Sequence, residues 1–166
     1  MLSAFGADNR LPFEGASVSV LVWPRDLVDM SAKIKRPHLV ISMTEHSNFH
    51  AKYPHNSQRV GLMPLHIDDI IGNDLSTYAD RIISTEQADL IVERVLSSYA
   101  LGVKLFVCQC EAGISRSAAV AQAIYERFNE PSPWFEEQFA PNQYILKMLR
   151  ESFQRSIDLE VRHCFG

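Results

Sequence analysis

The sequence predicts an α/β fold in which helices flank a mostly parallel central sheet. Short apolar runs rich in strand-forming residues alternate with longer stretches whose apolar residues recur at helical spacing. The clearest helix follows Ser84, where Ser84-Thr85-Glu86-Gln87 fits a capping box, and it stops at Gly102. Strands that alternate with helices in this way usually pair in parallel, because each helix carries the chain back along the sheet.

The strand predictions rest on composition and on the residues that interrupt each run. Four apolar runs predict strands over 18–23, 38–44, 60–67 and 104–108. Pro64 has no N–H to give to a neighbouring strand, so the third run is expected at a sheet edge, at a bulge or as a broken strand. The polar stretch 45–59, between the second and third strands, predicts a surface loop.

Most of the remaining chain predicts helices. Short helices are expected over 25–35 and 75–82, and longer ones after Ser84, after Ser117 and after Asn142, whose side chain can cap a helix. The stretch 134–141 predicts a linker with two aromatic anchors. A single domain is expected over 1–166, with an irregular lead-in at 1–15 and a short tail at 158–166.

The composition fits one globular domain and argues against two classes of partner. The chain has 166 residues, of which 46% are hydrophobic and 22% charged, and its net charge is −4. It therefore lacks the basic surface that nucleic acids or anionic membranes attract. The start does not resemble a signal peptide, no apolar run reaches about 18 residues, and three cysteines do not suggest a disulfide framework. We expect a soluble, cytoplasmic protein.

The stretch that carries chemistry lies between the fourth strand and the helix after it. A loop that enters a helix N-terminus aims free backbone N–H groups and the positive end of the helix dipole at one small volume, which favours an anion. Cys110 begins this loop and Arg116 ends it. Arginine can hold two phosphate oxygens at once, and the donors around Cys110 favour its nucleophilic thiolate. Gly113 lets the backbone approach the anion closely or take positive φ.

This loop resembles the signature loop of the cysteine-dependent protein tyrosine and dual-specificity phosphatases, most of all their small bacterial-type branch. The residues that fit the pattern Cys-x5-Arg-Ser/Thr are Cys110-Glu111-Ala112-Gly113-Ile114-Ser115-Arg116-Ser117. Gln109 departs from the family, which usually has His directly before the nucleophile; Gln can donate a hydrogen bond but carries no charge. The resemblance is specific for 66–128 and implies a dual-specificity-phosphatase-like fold.

The resemblance also implies a division of roles. Cys110 attacks phosphorus and forms a phosphocysteine, Arg116 and the loop N–H groups hold the phosphate oxygens, and Ser117 assists the departure of the cysteine. The implied phosphate-binding residues are Glu111, Ala112, Gly113, Ile114, Ser115 and Arg116. No metal and no cofactor is needed for this chemistry.

A carboxylic acid must protonate the leaving oxygen, a contribution typically worth ~10²–10⁴ in rate. By resemblance this acid lies on the loop after the third strand, where the chain offers Asp68, Asp69 and, farther along, Asp74. Counted from the end of the strand, Asp69 matches the family position best and Asp68 comes next. Any of the three could instead cap a helix or a turn.

These residues predict a phosphoprotein phosphatase that hydrolyses phosphotyrosine, with or without phosphoserine and phosphothreonine. Its partner is then a phosphorylated protein or a small phosphoester, and Glu111 within the loop disfavours polyanions. The alternative is a catalytically weak phosphate-recognition module that binds phosphopeptides, and Gln109 motivates it. A sulfur-transfer reaction on a related loop would not need Arg116 at this spacing.

Two further features leave alternatives open. The polar loop holds His46, His50 and His55, which could bind a metal, border the substrate or simply be exposed to solvent. Cys108 lies two residues before Cys110, on the same side of the strand, so it could pack in the core or form a protective disulfide.

Overall fold

The computed structural model describes residues 17–72 and 75–165, with side chains as far as Leu159. Within these residues, one sheet is formed by β1 (Ser19–Trp23), β2 (His38–Thr44), β3 (Arg59–His66) and β4 (Leu105–Gln109). All neighbouring strands are parallel, and their order is β1-β4-β2-β3. The predicted α/β fold with a parallel sheet is therefore confirmed.

The position of each strand in the sheet follows from its residues. β4 lies between β1 and β2, with Cys108 opposite Val22 on one side and Ile41 on the other, and every residue of β2 and β4 is buried. β3 lies at the edge, where Pro64 pairs in register with Ser42 and exposed residues alternate with covered ones. The edge position predicted from Pro64 is confirmed, because an edge strand tolerates the missing N–H.

The helices are α1 (Thr85–Ala100), α2 (Arg116–Phe128), α3 (Trp134–Gln138) and α4 (Gln143–Phe165). The capping box at the start of α1 is complete, since Ser84 and Gln87 each accept a bond from the other's backbone N–H. Asn142 caps α4 as predicted, because its Oδ1 accepts from the backbone N–H groups of Tyr144 at 3.1 Å and Ile145 at 3.0 Å. Gly102, with φ of +92°, follows α1 where the sequence predicts its end.

Three stretches differ from the prediction. The helices expected over 25–35 and 75–82 are shorter 3-10 helices, at Arg25–Lys33 and Leu75–Tyr78. The second has the usual length of such a helix, whereas the first, with nine residues, is longer than most. The expected linker 134–141 contains α3. Phe135 in α3 is fully buried and lies against Tyr125, with ring centroids 5.7 Å apart, so tertiary packing orders this turn.

The end of the chain also differs. The predicted tail 158–166 continues α4 as far as Phe165. Nothing interrupts the helix, because the sequence contains no glycine or proline from 143 to 165 and a Gln154–Asp158 hydrogen bond of 3.0 Å joins two adjacent turns. The lead-in predicted at 1–15 lies outside the described residues.

The sheet is covered on both faces. α1, α2 and α4 pack on one face around Phe106, Ile124 and Leu149, while the 3-10 helix after β1 covers a smaller apolar cluster that includes Trp23 and Val107. Because all four strands are parallel, their carboxyl ends meet along one edge, where ligands bind in folds of this kind. Among the described residues, no helix combines the length and apolar character needed to cross a membrane.

Candidate active site

The loop 110–115 joins the carboxyl end of β4 to the first turn of α2. The Cys110 backbone N–H donates to the carbonyl of Trp23, at the end of β1, over 3.2 Å. Gly113 has φ of +67°, and a β-carbon there would lie 2.7 Å from the carbonyl carbon of Trp23. The loop therefore turns directly against the end of β1, and only glycine fits at 113.

Cys110 is buried and faces the start of α2. Its Sγ lies 3.1 Å from the Oγ of Ser117, and both residues have almost no exposed surface. The hydroxyl can donate a hydrogen bond to a thiolate at this distance, so the sulfur has a neutral donor beside it. The geometry brings these two predicted residues together.

The Arg116 side chain is buried and binds residues that directly follow β2 and β3. It is 3% exposed; Nη1 donates to the Ile67 carbonyl at 2.8 Å, and Nη2 lies 3.4 Å from Oε1 of Glu45. Its Nε is buried and makes no hydrogen bond within the described residues. A buried charged donor without a partner is costly, so this N–H is suited to an anion in the loop.

Glu111 binds the chain after β1 through both its backbone and its side chain. The Arg25 backbone N–H donates to the Glu111 carbonyl at 3.1 Å, and Nη1 of Arg25 pairs with the Glu111 carboxylate at 3.1 Å. Nη2 of the same arginine donates to the Phe49 carbonyl at 2.6 Å. Arg25 thus connects the Cys110 loop to the loop after β2.

Asp68 and Asp69 follow β3 but have different partners. Asp68 is 5% exposed; it pairs with Arg81 and accepts from the backbone N–H and the Nδ1 of His46 at 2.8 and 2.9 Å. Burial raises the pKa of Asp68, but the bonds from His46 and Arg81 outweigh burial and hold the pKa below its usual value. Asp68 is therefore a stably ionised carboxylate.

Asp69 is bound to the Cys110 loop itself. Its Oδ1 accepts from Ser115 Oγ and from Asn142 Nδ2, each at 2.8 Å. The Asn142 backbone N–H also donates to the Ser115 carbonyl at 3.2 Å. The same asparagine thus caps α4 and attaches Asp69 to the loop. Asp74 lies outside the described residues.

Gln109 is fully buried and uses both ends of its amide. Its Oε1 accepts from Ser42 Oγ at 2.6 Å and from the Tyr53 hydroxyl at 3.2 Å, while its Nε2 donates to the Cys110 carbonyl at 2.6 Å. Tyr53 lies in the loop after β2. The residue that departs from the family pattern is therefore hydrogen bonded to the backbone of Cys110.

Two of the three histidines of the polar loop lie against a histidine of β3. The His46 and His50 rings lie beside His66 of β3, with centroids 5.4 and 4.1 Å from its ring, while His55 is exposed. Burial lowers the pKa of His50, and the charges of His66 and Arg25 lower it further. In the part of the chain that the structure describes, no three His, Cys, Asp or Glu side chains are arranged to hold a metal ion.

Cys108 is completely buried within the main core. Burial raises the pKa of its thiol well above the usual value, and the neighbouring Cys110 raises it further. A protonated thiol is a poor nucleophile, so these surroundings favour the packing alternative for Cys108 over the disulfide.

Several residues of the site were not predicted as such from the sequence, among them Arg25, Glu45 and Asn142, and also Ser42 and Tyr53, which bind Gln109. Arg25 lies two residues after the end of β1, and Glu45 directly follows β2. Because ligands bind beyond the carboxyl ends of parallel strands, both positions could have been identified from the sequence. Asn142 was identified only as a helix cap. Its second bond, to Asp69, depends on how α4 packs.

Comparison with known proteins finds similarity in fold but not in sequence. No protein-family model matches the chain, and no curated protein sequence matches it. The solved structure of human tyrosine phosphatase-like serine/threonine/tyrosine-interacting protein is similar, with a TM-score of 0.53 and 21% identity over 84% of this chain and 93% of that chain. A structure of PTPMT1 aligns with a TM-score of 0.49 and 16% identity over 89% of this chain and 95% of that chain. A structure of human DUSP28 aligns with a TM-score of 0.45 and 15% identity over 82% of this chain and 94% of that chain. The chain has a fold of the tyrosine phosphatase-like kind.

Proposed function

We propose that this protein is a phosphatase that hydrolyses phosphotyrosine, with or without phosphoserine and phosphothreonine, through a phosphocysteine intermediate. One observation carries the proposal: the Cys110 sulfur at the start of the loop 110–115, and the Arg116 Nε, which has no hydrogen-bond partner within the described residues, lie at either end of one short turn into α2. A nucleophile, a cationic donor and a row of backbone N–H groups are the parts that phosphoryl transfer to cysteine requires.

In the first step, the thiolate of Cys110 attacks phosphorus. A sulfur–phosphorus bond forms while the bond from phosphorus to the tyrosine oxygen breaks, and a carboxylic acid gives that oxygen a proton. Arg116 and the N–H groups of 111–116 stabilise the charge on the other three oxygens. The tyrosine side chain leaves as a neutral phenol.

In the second step, the same carboxylate removes a proton from water, whose oxygen attacks phosphorus. The sulfur–phosphorus bond breaks, its electron pair returns to Cys110, and inorganic phosphate is released. Ser117, whose Oγ is 3.1 Å from the sulfur, donates a hydrogen bond to the departing thiolate.

We assign the acid to Asp69. Both hydrogen bonds from Ser115 and Asn142 reach its Oδ1, so Oδ2 can carry the proton that is transferred. Asp68 is less suited, since an ion pair with Arg81 and two bonds from His46 favour its ionised form.

The surroundings of the loop favour a phosphorylated protein or a small phosphoester as substrate. Glu111, which pairs with Arg25 beside the loop, and the net charge of −4 both disfavour nucleic acid and polyanionic lipid headgroups. The proposed cytoplasmic location would keep the Cys110 thiol reduced, as this chemistry requires. No metal or cofactor takes part in either step.

The alternative is a module that binds phosphopeptides with little turnover. The structural neighbour described above is itself named a tyrosine phosphatase-like and interacting protein, so the fold alone does not separate catalysis from recognition. The intact set of Cys110, Ser117 and Asp69 favours catalysis, because a pure recognition module would not need a nucleophile.

The test is steady-state hydrolysis of para-nitrophenyl phosphate with a metal chelator present. We expect turnover by the reduced wild type and none by Cys110→Ser, which changes a single atom. Folded wild type without turnover would overturn the phosphatase proposal; if it still bound a phosphotyrosine peptide and Arg116→Ala did not, the recognition module would replace it.

A further inference from the structure

The amide of Gln109 has only one orientation that satisfies all three of its hydrogen bonds. The Cys110 carbonyl can only accept a bond, so the NH₂ group of Gln109 must face it. Oε1 therefore faces Ser42 and Tyr53 and accepts from both hydroxyls, which also lie within hydrogen-bonding distance of each other. The chain of bonds runs in one direction, from the two hydroxyls through Gln109 to the backbone of Cys110, and every group in it is neutral.

This chain acts on the peptide bond between Cys110 and Glu111. In a trans peptide, the carbonyl of one residue and the N–H of the next lie in one plane and point in opposite directions, and the described residues contain no cis peptide. Holding the Cys110 carbonyl toward Gln109 therefore aims the N–H of Glu111 away from Gln109. That N–H is the first of the backbone donors that the loop offers to phosphate.

We propose that Gln109 is a positioning residue that orients the Cys110–Glu111 peptide for phosphate binding, and that Tyr53 and Ser42 hold Gln109 in place. The inference rests on the proposed function for its chemistry, but the hydrogen bonds that carry it do not. Gln109 itself does not contact the reacting atoms.

Tyr53 also connects this chain of bonds to the loop after β2. That loop also contacts two residues beside the Cys110 loop, because the Glu45 carboxylate lies 3.4 Å from Arg116 and the Phe49 carbonyl accepts from Arg25, which pairs with Glu111. Burial raises the pKa of Tyr53, so its hydroxyl keeps its proton and remains a donor over the pH range of any assay. The irregular loop after β2 therefore contacts the Gln109 side chain, the Arg116 guanidinium and Arg25.

The test uses two readouts on four variants, namely Gln109→Met, Tyr53→Phe, Ser42→Ala and the matched control Ser31→Ala. Gln109→Met keeps the length of the side chain but removes its donor and acceptor, and Ser31 is a buried serine whose Oγ has no partner within the described residues. The readouts are the pH dependence of Cys110 alkylation by iodoacetamide, and kcat with KM for para-nitrophenyl phosphate. Alkylation needs no turnover, so it tests the inference even if the wild type hydrolyses nothing.

We expect Gln109→Met to lower kcat about tenfold, the value of one or two neutral hydrogen bonds, and to move the alkylation midpoint to higher pH. Tyr53→Phe and Ser42→Ala should each have smaller effects in the same direction, because one hydroxyl still holds the amide. Ser31→Ala should leave both readouts unchanged.

A double-mutant cycle separates positioning from general support of the fold. If Tyr53 acts through Gln109, then Tyr53→Phe has no further effect on kcat or on the alkylation midpoint in the Gln109→Met background. Additive effects would overturn the inference, as would a folded Gln109→Met with wild-type values of both readouts. Should Gln109→Met fail to fold, Tyr53→Phe and Ser42→Ala carry the test, and unchanged alkylation in both overturns it.

Discussion

At the scale of single residues, two adjacent aspartates show how different hydrogen-bond partners give identical side chains different roles. Asp68 and Asp69 are the same residue type, and both follow β3. Arg81 and His46 surround the first with positive charge and donors, whereas Ser115 and Asn142 attach the second to the Cys110 loop. We infer a structural role for Asp68 and a catalytic one for Asp69.

Replacing each aspartate by asparagine tests this division. Asp69→Asn should lower kcat for a phosphotyrosine peptide by ~10²–10⁴, the usual value of general acid catalysis, and remove the fall in rate at alkaline pH. Asp68→Asn should retain that fall, but lower the free energy of unfolding by about 1–3 kcal/mol, because an amide in this buried position loses the charge and one of the two acceptor oxygens that bind His46 and Arg81. Kinetics across pH and urea denaturation measure the two effects. A folded Asp68→Asn that loses the alkaline limb, with Asp69→Asn retaining it, would reverse the assignment.

At the scale of elements, the Cys110 loop keeps its shape because it rests on the end of β1. The Cys110 N–H and the Glu111 carbonyl bond to the backbone of Trp23 and Arg25, and Gly113 lies against the chain between them. Cys110 is thus supported by a strand far earlier in the sequence, β1 at Ser19–Trp23.

Gly113→Ala adds a single carbon, yet it should displace the Cys110 loop and strongly lower kcat. The added carbon would meet Trp23 and Pro24, and alanine at φ of +67° costs about 1 kcal/mol before any collision. We expect kcat for para-nitrophenyl phosphate to fall at least ~100-fold, because displacing reacting groups by about 1 Å costs that much.

Gly102→Ala is the matched control for this substitution. Gly102 has φ of +92°, yet a β-carbon there would meet nothing within 4 Å. It should lower the free energy of unfolding by about 1 kcal/mol and leave kcat unchanged. Equal losses of kcat in the two variants, measured on folded protein, would contradict the role of β1 as the support of the loop.

At the scale of the whole molecule, the parallel sheet explains why several residues of the site could be predicted from the sequence. The strand-loop-helix pattern around Cys110 is local, so its residues and the helix cap of Asn142 could be read directly from the sequence. Parallel strands also end at one edge, which is why the stretch after β3 could be linked to Cys110 before any contact was known.

The rest of the site depends on contacts that no local pattern encodes. Glu45 and Arg116 are 71 residues apart, and Asn142 reaches Asp69 across 73. His46 and His50 lie beside His66, a contact between a loop and the neighbouring strand β3 that spacing within the loop does not encode. The α3 turn likewise forms through the burial of Phe135, which helical periodicity over five residues cannot predict.

The titration of two histidines and two aspartates gives a prediction for the stability of the whole molecule. Burial lowers the pKa of His38 and of His50, so the unfolded chain binds protons more readily than the folded one as pH falls below about 6.5. Hydrogen bonds lower the pKa of Asp68 and Asp89 in the folded state, so their stabilisation is present above about pH 4 and lost below it. Both effects have the same sign, and stability should fall in two steps on acidification.

Urea denaturation at half-unit steps from pH 7.5 to 2 measures these steps. The free energy of unfolding should decrease below pH 6.5 with a slope of at most about 1.4 kcal/mol per pH unit for each proton taken up on unfolding. His38→Asn, which keeps a donor for the Arg36 carbonyl, should flatten the slope between pH 6.5 and 5, because His38 is fully buried at the start of β2. The same substitution at the exposed His55 should leave the slope unchanged. If His38→Asn retains the full wild-type slope, the first step does not arise from the burial of His38.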